Sequence, residues 1–334
     1  MTNPSAVLYA PNDIRIEDRP IPEPGAGEVL VNVRAIGICG SDVHYYEHGR
    51  IGPYIVEHPM VVGHESAGVI VGVGIDVSPT RIGQTVALEP GVPCRNCKEC
   101  LAGRYNLCPD VVFFATPPVD GSIAGYVTID ARFAHPAPEN LSFEAAAMAE
   151  PVSVGVWAAR KAGITAGDRV LVTGAGPIGL YAAQVARAFG AVEITVTDVS
   201  SFRLEKARSL GFAAERAGEP AETTFDVLLE CSGAAVALDG GMKRLAPAGR
   251  VVLVGMGADS VPIDVPLVQG KELTISGIFR YANTYPTALA LLASGEVDAE
   301  AVITHRFDIA HTEDALTLAR RDPESLKAIV LPEA

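Results

Sequence analysis

The sequence predicts an α/β protein in which a mostly β part is joined to a parallel-sheet part. Three observations point there. Before about residue 150, short β-rich runs alternate with Gly and Pro, the spacing of a compact antiparallel domain. After it, short apolar strands alternate with helical patterns, which implies βαβ units. Where the first of these strands meets its helix stands Gly174-Ala175-Gly176-Pro177-Ile178-Gly179, a G-x-G-x-x-G pattern.

The elements follow in order. In the first part the β-rich runs are 28–35, 68–73, 84–88 and 125–129. In the second, 169–173 is a β-branched strand and 178–189 is helical. Segment 193–197 is the next strand and 202–210 the next helix. Segments 225–229, 250–254 and 273–277 repeat the buried-strand pattern. Segments 261–265 and 273–277 are the candidate edge strands for pairing between subunits. Segment 285–293 reads as a helix stopped by Gly295. The tail, 303–332, is mixed and is expected to return to the first part.

Composition bounds the function. At ~150 residues per domain, 334 residues allow about two domains. With 49% hydrophobic and 20% charged residues, bulk disorder is excluded. Mean hydropathy is +0.26, but charges interrupt every apolar stretch before ~18 residues, so no membrane span is expected. Met1-Thr2-Asn3-Pro4 has neither a basic nor an apolar leader region, so a cytoplasmic protein is expected. A net charge of -14 argues against a nucleic-acid partner.

The glycine motif has a physical reading. Gly174 permits the tight turn, Gly176 lets the backbone approach a pyrophosphate, and Gly179 allows close helix–strand packing. Pro177 suits the first helical turn and Ile178 follows it, leaving helix N–H groups for an anion. Asp198, 19 residues after Gly179, is placed to accept from both ribose hydroxyls. It would repel a 2′-phosphate, which favours NAD over NADP, although Arg203 nearby could meet such a phosphate.

Two groups of residues suit metals. Cys94-x2-Cys97-x2-Cys100-x7-Cys108 holds four of the six cysteines, the spacing of a closed tetrahedral zinc site with a structural role. Arg95, Lys98 and Arg104 are expected to moderate its negative charge. An iron–sulfur cluster also takes four Cys, but the neighbouring dinucleotide motif does not call for one. The second group is dispersed: Cys39, then His64-Glu65, then Glu150 where the two parts should join. A thiolate, an imidazole and a carboxylate leave a position for water or substrate, as catalytic zinc requires. Taken singly each has a bland reading; paired with a dinucleotide fold the balance reverses. Of the other histidines only His44, five residues from Cys39, stands near this site.

Together these residues resemble the zinc-dependent medium-chain dehydrogenase/reductase family, end to end, and within it the polyol (sorbitol/xylitol) dehydrogenase branch. The segments that carry the branch are Cys39-Gly40-Ser41-Asp42-Val43-His44-Tyr45-Tyr46, Phe113-Phe114-Ala115-Thr116-Pro117-Pro118, Glu150-Pro151-Val152-Ser153-Val154-Gly155 and Phe279-Arg280-Tyr281-Ala282-Asn283-Thr284. The resemblance implies a GroES-like catalytic domain over 1–152, continued by 279–334, and a Rossmann domain over 153–278. It implies two Zn2+ per chain and NAD, with Cys39, His64 and Glu65 on the catalytic zinc and Glu150 either bound directly or through water. Cys231 is then a packed thiol below the nicotinamide.

The implied reaction is oxidation of a secondary polyol hydroxyl to a ketose, with the hydride passing to NAD+ and zinc as Lewis acid. Ser41 and His44 form the proton relay, with Glu150 a candidate base. Tyr45, Glu150, Arg280 and Tyr281 match polar positions of the branch's substrate pocket, and Phe113 an apolar wall. The branch also implies a homotetramer. A threonine or butanediol dehydrogenase is the nearest alternative, opposed by the Phe279-Arg280-Tyr281 and Glu150-Pro151-Val152-Ser153 segments. A zinc-ribbon nucleic-acid module is opposed by the charge. A catalytically dead structural relative would be expected to have lost the zinc ligands, which are all present here.

Overall fold

The computed structural model describes residues 2–220 and 222–332. Its contacts divide the chain into two units, Met1–Glu150 with Ala299–Ala334, and Pro151–Asp298.

The first unit is built on one long strand, Glu28–Gly37. Along one edge it pairs antiparallel with Glu65–Val73, which pairs in turn with Thr85–Leu88 and then Ala134–Pro136. The other edge is shared. Tyr126–Asp130 takes the first half, from Glu28 to Asn32, and the late strand Lys327–Leu331 takes Ile36 and Gly37. Ile303–Asp308 completes the sheet, parallel to Lys327–Leu331. Val31, Val33, Ile36, Ile70, Leu88 and Val330 are wholly buried in its core. A smaller sheet holds the hairpin Asn3–Ala10 and Asp13–Arg19, which the sequence reading did not single out.

The second unit is a parallel sheet. Its spatial order is Ala213–Arg216, Glu193–Asp198, Arg169–Thr173, Phe225–Glu230, Leu245–Leu253 and Thr274–Gly277. Chain order runs outward both ways from Arg169–Thr173, so the reversal lies beside Phe225–Glu230, where open α/β sheets bind ligands. Val170, Leu171, Val172, Val227, Leu228 and Leu229 are all buried. Continuous rather than alternating burial is what a parallel sheet covered on both faces requires.

Two expectations shift. The chain returns to the first unit at Ala299, not at 279. The helix Tyr285–Ala293 buries Tyr285, Ala288, Leu289 and Leu292 within the second unit. Arg160 donates to the Asn283 carbonyl at 2.8 Å and to Thr287 at 2.9 Å, and Gln184 accepts from the Asp298 N–H at 2.7 Å. These bonds hold 283–298 to that unit. Nor does 261–265 form a strand: Asp264 caps the helix Val265–Lys271, accepting from the Leu267 N–H at 3.0 Å, with Pro266 in the first turn. Of the two expected edge segments only Thr274–Gly277 is a strand, and it lies at one edge of the sheet, opposite Ala213–Arg216.

Ile329 sits fully buried on the late central strand. Ile329→Ala is expected to destabilise the first unit by about 2–5 kcal/mol. Hydrogen exchange of amides in Glu28–Gly37 and Glu65–Val73 measures it. Ile82→Ala, at a position 52% exposed, should stay within about 0.5 kcal/mol.

Candidate active site and metal centres

The register of two strands assembles the first site. Gly37 lies opposite Glu65 in the ladder, and the chain leaves Gly37 for Cys39 just as it arrives from His64. Donor atoms of Cys39, His64 and Glu65 all lie within 4.8 Å of one another. Gly37 is required by this approach: a Cβ there would stand 2.1 Å from Glu65 Oε2 and 2.6 Å from Met148 Cε.

Asp42 organises the Cys39 loop and the imidazole, and the sequence reading gave it no role. It is wholly buried in the first turn of the helix Gly40–His48. Its carboxylate accepts from the Cys39 N–H at 3.0 Å and the Gly63 N–H at 3.1 Å. It also faces His64 Nδ1 at 3.3 Å, which leaves Nε2 for a metal. Burial raises the Asp42 pKa, but His64 and the two N–H groups outweigh it and hold the carboxyl below its ordinary value. Burial likewise opposes a His64 charge, yet Asp42 and then Cys39 raise that imidazole well above the usual histidine range. An acid at the third helical position after Cys39 is the local signal that could have found Asp42.

Lys327 is the second residue missed. It is 3% exposed, and its ammonium donates to Glu65 Oε1 at 2.8 Å, Glu65 Oε2 at 2.7 Å and the Ile38 carbonyl at 2.9 Å. Burial lowers its pKa, but Glu65 and Cys39 outweigh that and raise it. No local pattern around 327 announces the role, because its partner is 262 positions away.

The other expected residues fall as follows. Glu150 is buried in the first turn of the helix Ala149–Ala162. It acts electrostatically on Lys327 but is not among the three mutually close donors. Phe113 is buried with its ring 5.8 Å from that of His64. Ser41 is half-buried, and His44 is exposed with its ring 4.6 Å from that of His48. Tyr45 is 5% exposed and belongs to the core of the first unit. Arg280 and Tyr281 belong to the second unit. Arg280 takes a left-handed φ of 53° and lies 4.9 Å over the Phe279 ring, while buried Tyr281 meets Tyr285 at 5.8 Å.

The cysteine tetrad closes on itself. All four sulfurs lie within 4.8 Å of one another, with Cys94–Cys100 at 3.9 Å and Cys97–Cys100 at 3.4 Å. Sulfurs ~2.3 Å from one tetrahedral ion stand ~3.8 Å apart, whereas a disulfide needs ~2.05 Å. The donor set therefore fits zinc. Backbone N–H groups serve the thiols unevenly: Asn96 and then Cys97 bring Cys94 down to about 7, while burial and Cys97 push Cys100 up to about 12. Of Arg95, Lys98 and Arg104, the cations expected to moderate this charge, two are engaged by carboxylates. Arg95 pairs with Asp130 and Arg104 with Glu99 at 2.7 Å, so their charges are committed to carboxylates. Buried Glu89 anchors the loop that carries the tetrad, accepting from the Tyr105 hydroxyl at 2.6 Å and meeting His135 Nε2 at 2.7 Å.

In the second unit the glycine motif spans the end of Arg169–Thr173 and the start of the helix Pro177–Ala188. Gly174 has φ 91°, and a Cβ on Gly179 would stand 1.8 Å from the Gly174 carbonyl oxygen. Asp198 ends its strand and holds the loop, accepting from the Ala175 N–H at 2.7 Å and the Ser200 N–H at 2.8 Å. Each oxygen keeps a second lone pair for a ribose hydroxyl. An Arg203 nitrogen lies 4.0 Å from the Cβ position of Gly176. Cys231 is half-buried rather than a core thiol, and burial raises its pKa.

Comparison with known proteins follows the same division. An alcohol dehydrogenase GroES-like domain matches residues 25–139, and a zinc-binding dehydrogenase domain matches 177–294. Sorbitol dehydrogenase of Bos taurus is 42% identical over 96% of this chain and 93% of its own length. Sorbitol dehydrogenase of Bacillus subtilis is 42% identical over 98% and 97%. A structure from Escherichia coli CFT073, described as a short chain alcohol dehydrogenase complexed with cofactor NADH, superposes with TM-score 0.92 at 32% identity, covering 99% of both chains. No helix among the described residues is long and apolar enough to cross a membrane.

The two donor sets make separable predictions. Gly37→Ala should displace the Glu65 carboxylate, lower zinc by about one per chain and abolish turnover, leaving the tetrad loaded. Cys100→Ser should also remove about one zinc, but from the tetrad, and chiefly lower thermal stability. Metal analysis beside a melting curve distinguishes the two.

Proposed function

The chain belongs to the zinc-dependent medium-chain dehydrogenase/reductase family, and from that premise we propose that it oxidises a secondary hydroxyl of a sorbitol-, xylitol- or iditol-like polyol to the ketose, with NAD+ taking the hydride. The observation that carries the reading is the mutual approach of Cys39, His64 and Glu65, an open three-donor set, in a chain that carries the glycine motif and Asp198. The sorbitol dehydrogenase relatives support the polyol class.

The residues present fit the zinc that the family implies. A thiolate, an imidazole whose other nitrogen is held by Asp42, and a carboxylate are the donor types of catalytic zinc. When bound, that ion supplies Lewis acidity, which lowers the pKa of the hydroxyl to be oxidised. The chain's own groups do the rest. Cys39, His64 and Glu65 would hold the ion, with Glu150 as a further carboxylate for it, bound directly or through water. Ser41 passes the released proton toward exposed His44 and so to solvent. Phe113, packed beside His64, keeps water from one wall. Tyr45, Glu150, Arg280 and Tyr281 bind the polyol's remaining hydroxyls.

Gly174, Gly176, Pro177, Ile178 and Gly179 receive the pyrophosphate, and Asp198 the ribose, which favours NAD over NADP. Arg203 flanks the glycine loop beside them. Two zinc ions per chain, a homotetramer and a cytoplasmic setting complete the reading, supported by the two donor sets and the branch the chain resembles.

Initial rates on D-sorbitol, xylitol, L-iditol, galactitol and ribitol test the substrate class against L-threonine and 2,3-butanediol. Turnover of the last two alone would overturn it. Arg280→Ala is expected to lower kcat/KM for the polyol about 10–100-fold more than for a simple secondary alcohol, the worth of a charged hydrogen bond. Equal losses would remove Arg280 from the polyol site. Asp198→Ala should raise KM for NAD+ and narrow the preference over NADP+, with kcat little changed.

A further inference from the structure

Lys327 is a buried cation whose three hydrogen-bond donors are all committed at the active site. Two go to the two oxygens of Glu65, and the third to the carbonyl of Ile38, the residue peptide-bonded to Cys39. The strand that carries it is locked to the same loop, since the Ile38 N–H donates to the Ala328 carbonyl at 3.0 Å. One side chain therefore grips two of the three donor positions. Stability does not account for it, because a buried ion pair is often no better than an apolar pair of equal volume.

Charge does. A divalent ion held by the Cys39 thiolate and the Glu65 carboxylate would be neutral, and buried Glu150 adds a negative charge. Lys327 offsets one of these negative charges, while Asp42 is met by the Cys39 and Gly63 N–H groups and by His64. An ammonium on both oxygens of Glu65 also draws density from that carboxylate and makes it a weaker donor. We infer that Lys327 is the positioning residue that sets the electrophilicity of this metal centre, by holding Glu65 and the Cys39 loop while compensating the extra carboxylate. The inference rests on the polyol dehydrogenase reading for its kinetic arm only.

Lys327→Gln is the test, because an amide keeps N–H donors and removes the charge. Zinc content should stay near that of the wild type, while kcat on the best polyol falls about 10–100-fold, the usual scale for a partner of a metal ligand. The visible absorption of the cobalt-substituted protein should shift as Glu65 becomes the stronger donor. Lys327→Arg, which keeps the cation, should restore most of the rate and the spectrum. A cobalt spectrum and kcat unchanged in Lys327→Gln would overturn the inference. So would activity lost only in proportion to zinc or to folded protein, or an arginine variant no better than the glutamine one. If the wild type turned over no polyol, the functional reading would fall, and the cobalt spectra would still decide the role of Lys327.

Discussion

The register between Glu28–Gly37 and Glu65–Val73 is the constraint on which the first unit's chemistry depends. With Gly37 opposite Glu65, the end of one strand and the start of the other place a thiol, an imidazole and a carboxylate together. A slip by one residue would turn Glu65 to the other face of the sheet. The opposite edge of the same strand is held by Lys327–Leu331, which delivers an ammonium to the carboxylate that the register has positioned. The site is thus a product of sheet pairing, and the core that fixes the pairing is also what fixes the donor distances.

What was legible in the sequence follows from range. The tetrad could be read because its four cysteines lie within one loop and short helix, where spacing nearly determines geometry. The glycine motif could be read because its neighbours in space, the strand before and the helix after, are its neighbours in sequence. The two central strands of the parallel sheet, Arg169–Thr173 and Phe225–Glu230, were found within a residue, since burial on both faces leaves an apolar run; Leu245–Leu253 begins five residues before the expected 250, and the edge strand Ala213–Arg216 was missed. Asp42 was local but gave no pattern beyond a capping acid. Lys327 gave none, because its meaning comes from a residue on another strand. The segment 261–265 misled because apolar alternation can be overruled by a capping Asp and a following Pro.

In the second unit, one carboxylate again serves two ends. Asp198 fastens the glycine loop through the Ala175 N–H and fixes the next turn through Ser200. A loop meant to cradle a pyrophosphate must keep its own N–H groups from collapsing onto its carbonyls. A buried acid at the strand end does this while leaving lone pairs for a ribose. The shape of the loop therefore rests on one side chain, whose remaining lone pairs face outward from the same bonds.

The two cysteine-bearing centres show how charge is managed differently by role. The tetrad gathers four sulfurs, neighbouring arginines pair with Asp130 and Glu99, and backbone N–H groups serve the sulfurs directly. Such a set suits a closed site, which has no need to remain acidic. The first site has a single thiolate, and its surplus charge comes from carboxylates. There, Asp42 is answered by two backbone N–H groups and His64, and Glu65 by Lys327. Asp42 and Glu65 thus each have a counterpart that holds them in position. An apolar core could have held the same strands together. The buried acids and the lysine add a constraint that packing cannot supply, namely the electronic character of the ion that Cys39, His64 and Glu65 would hold.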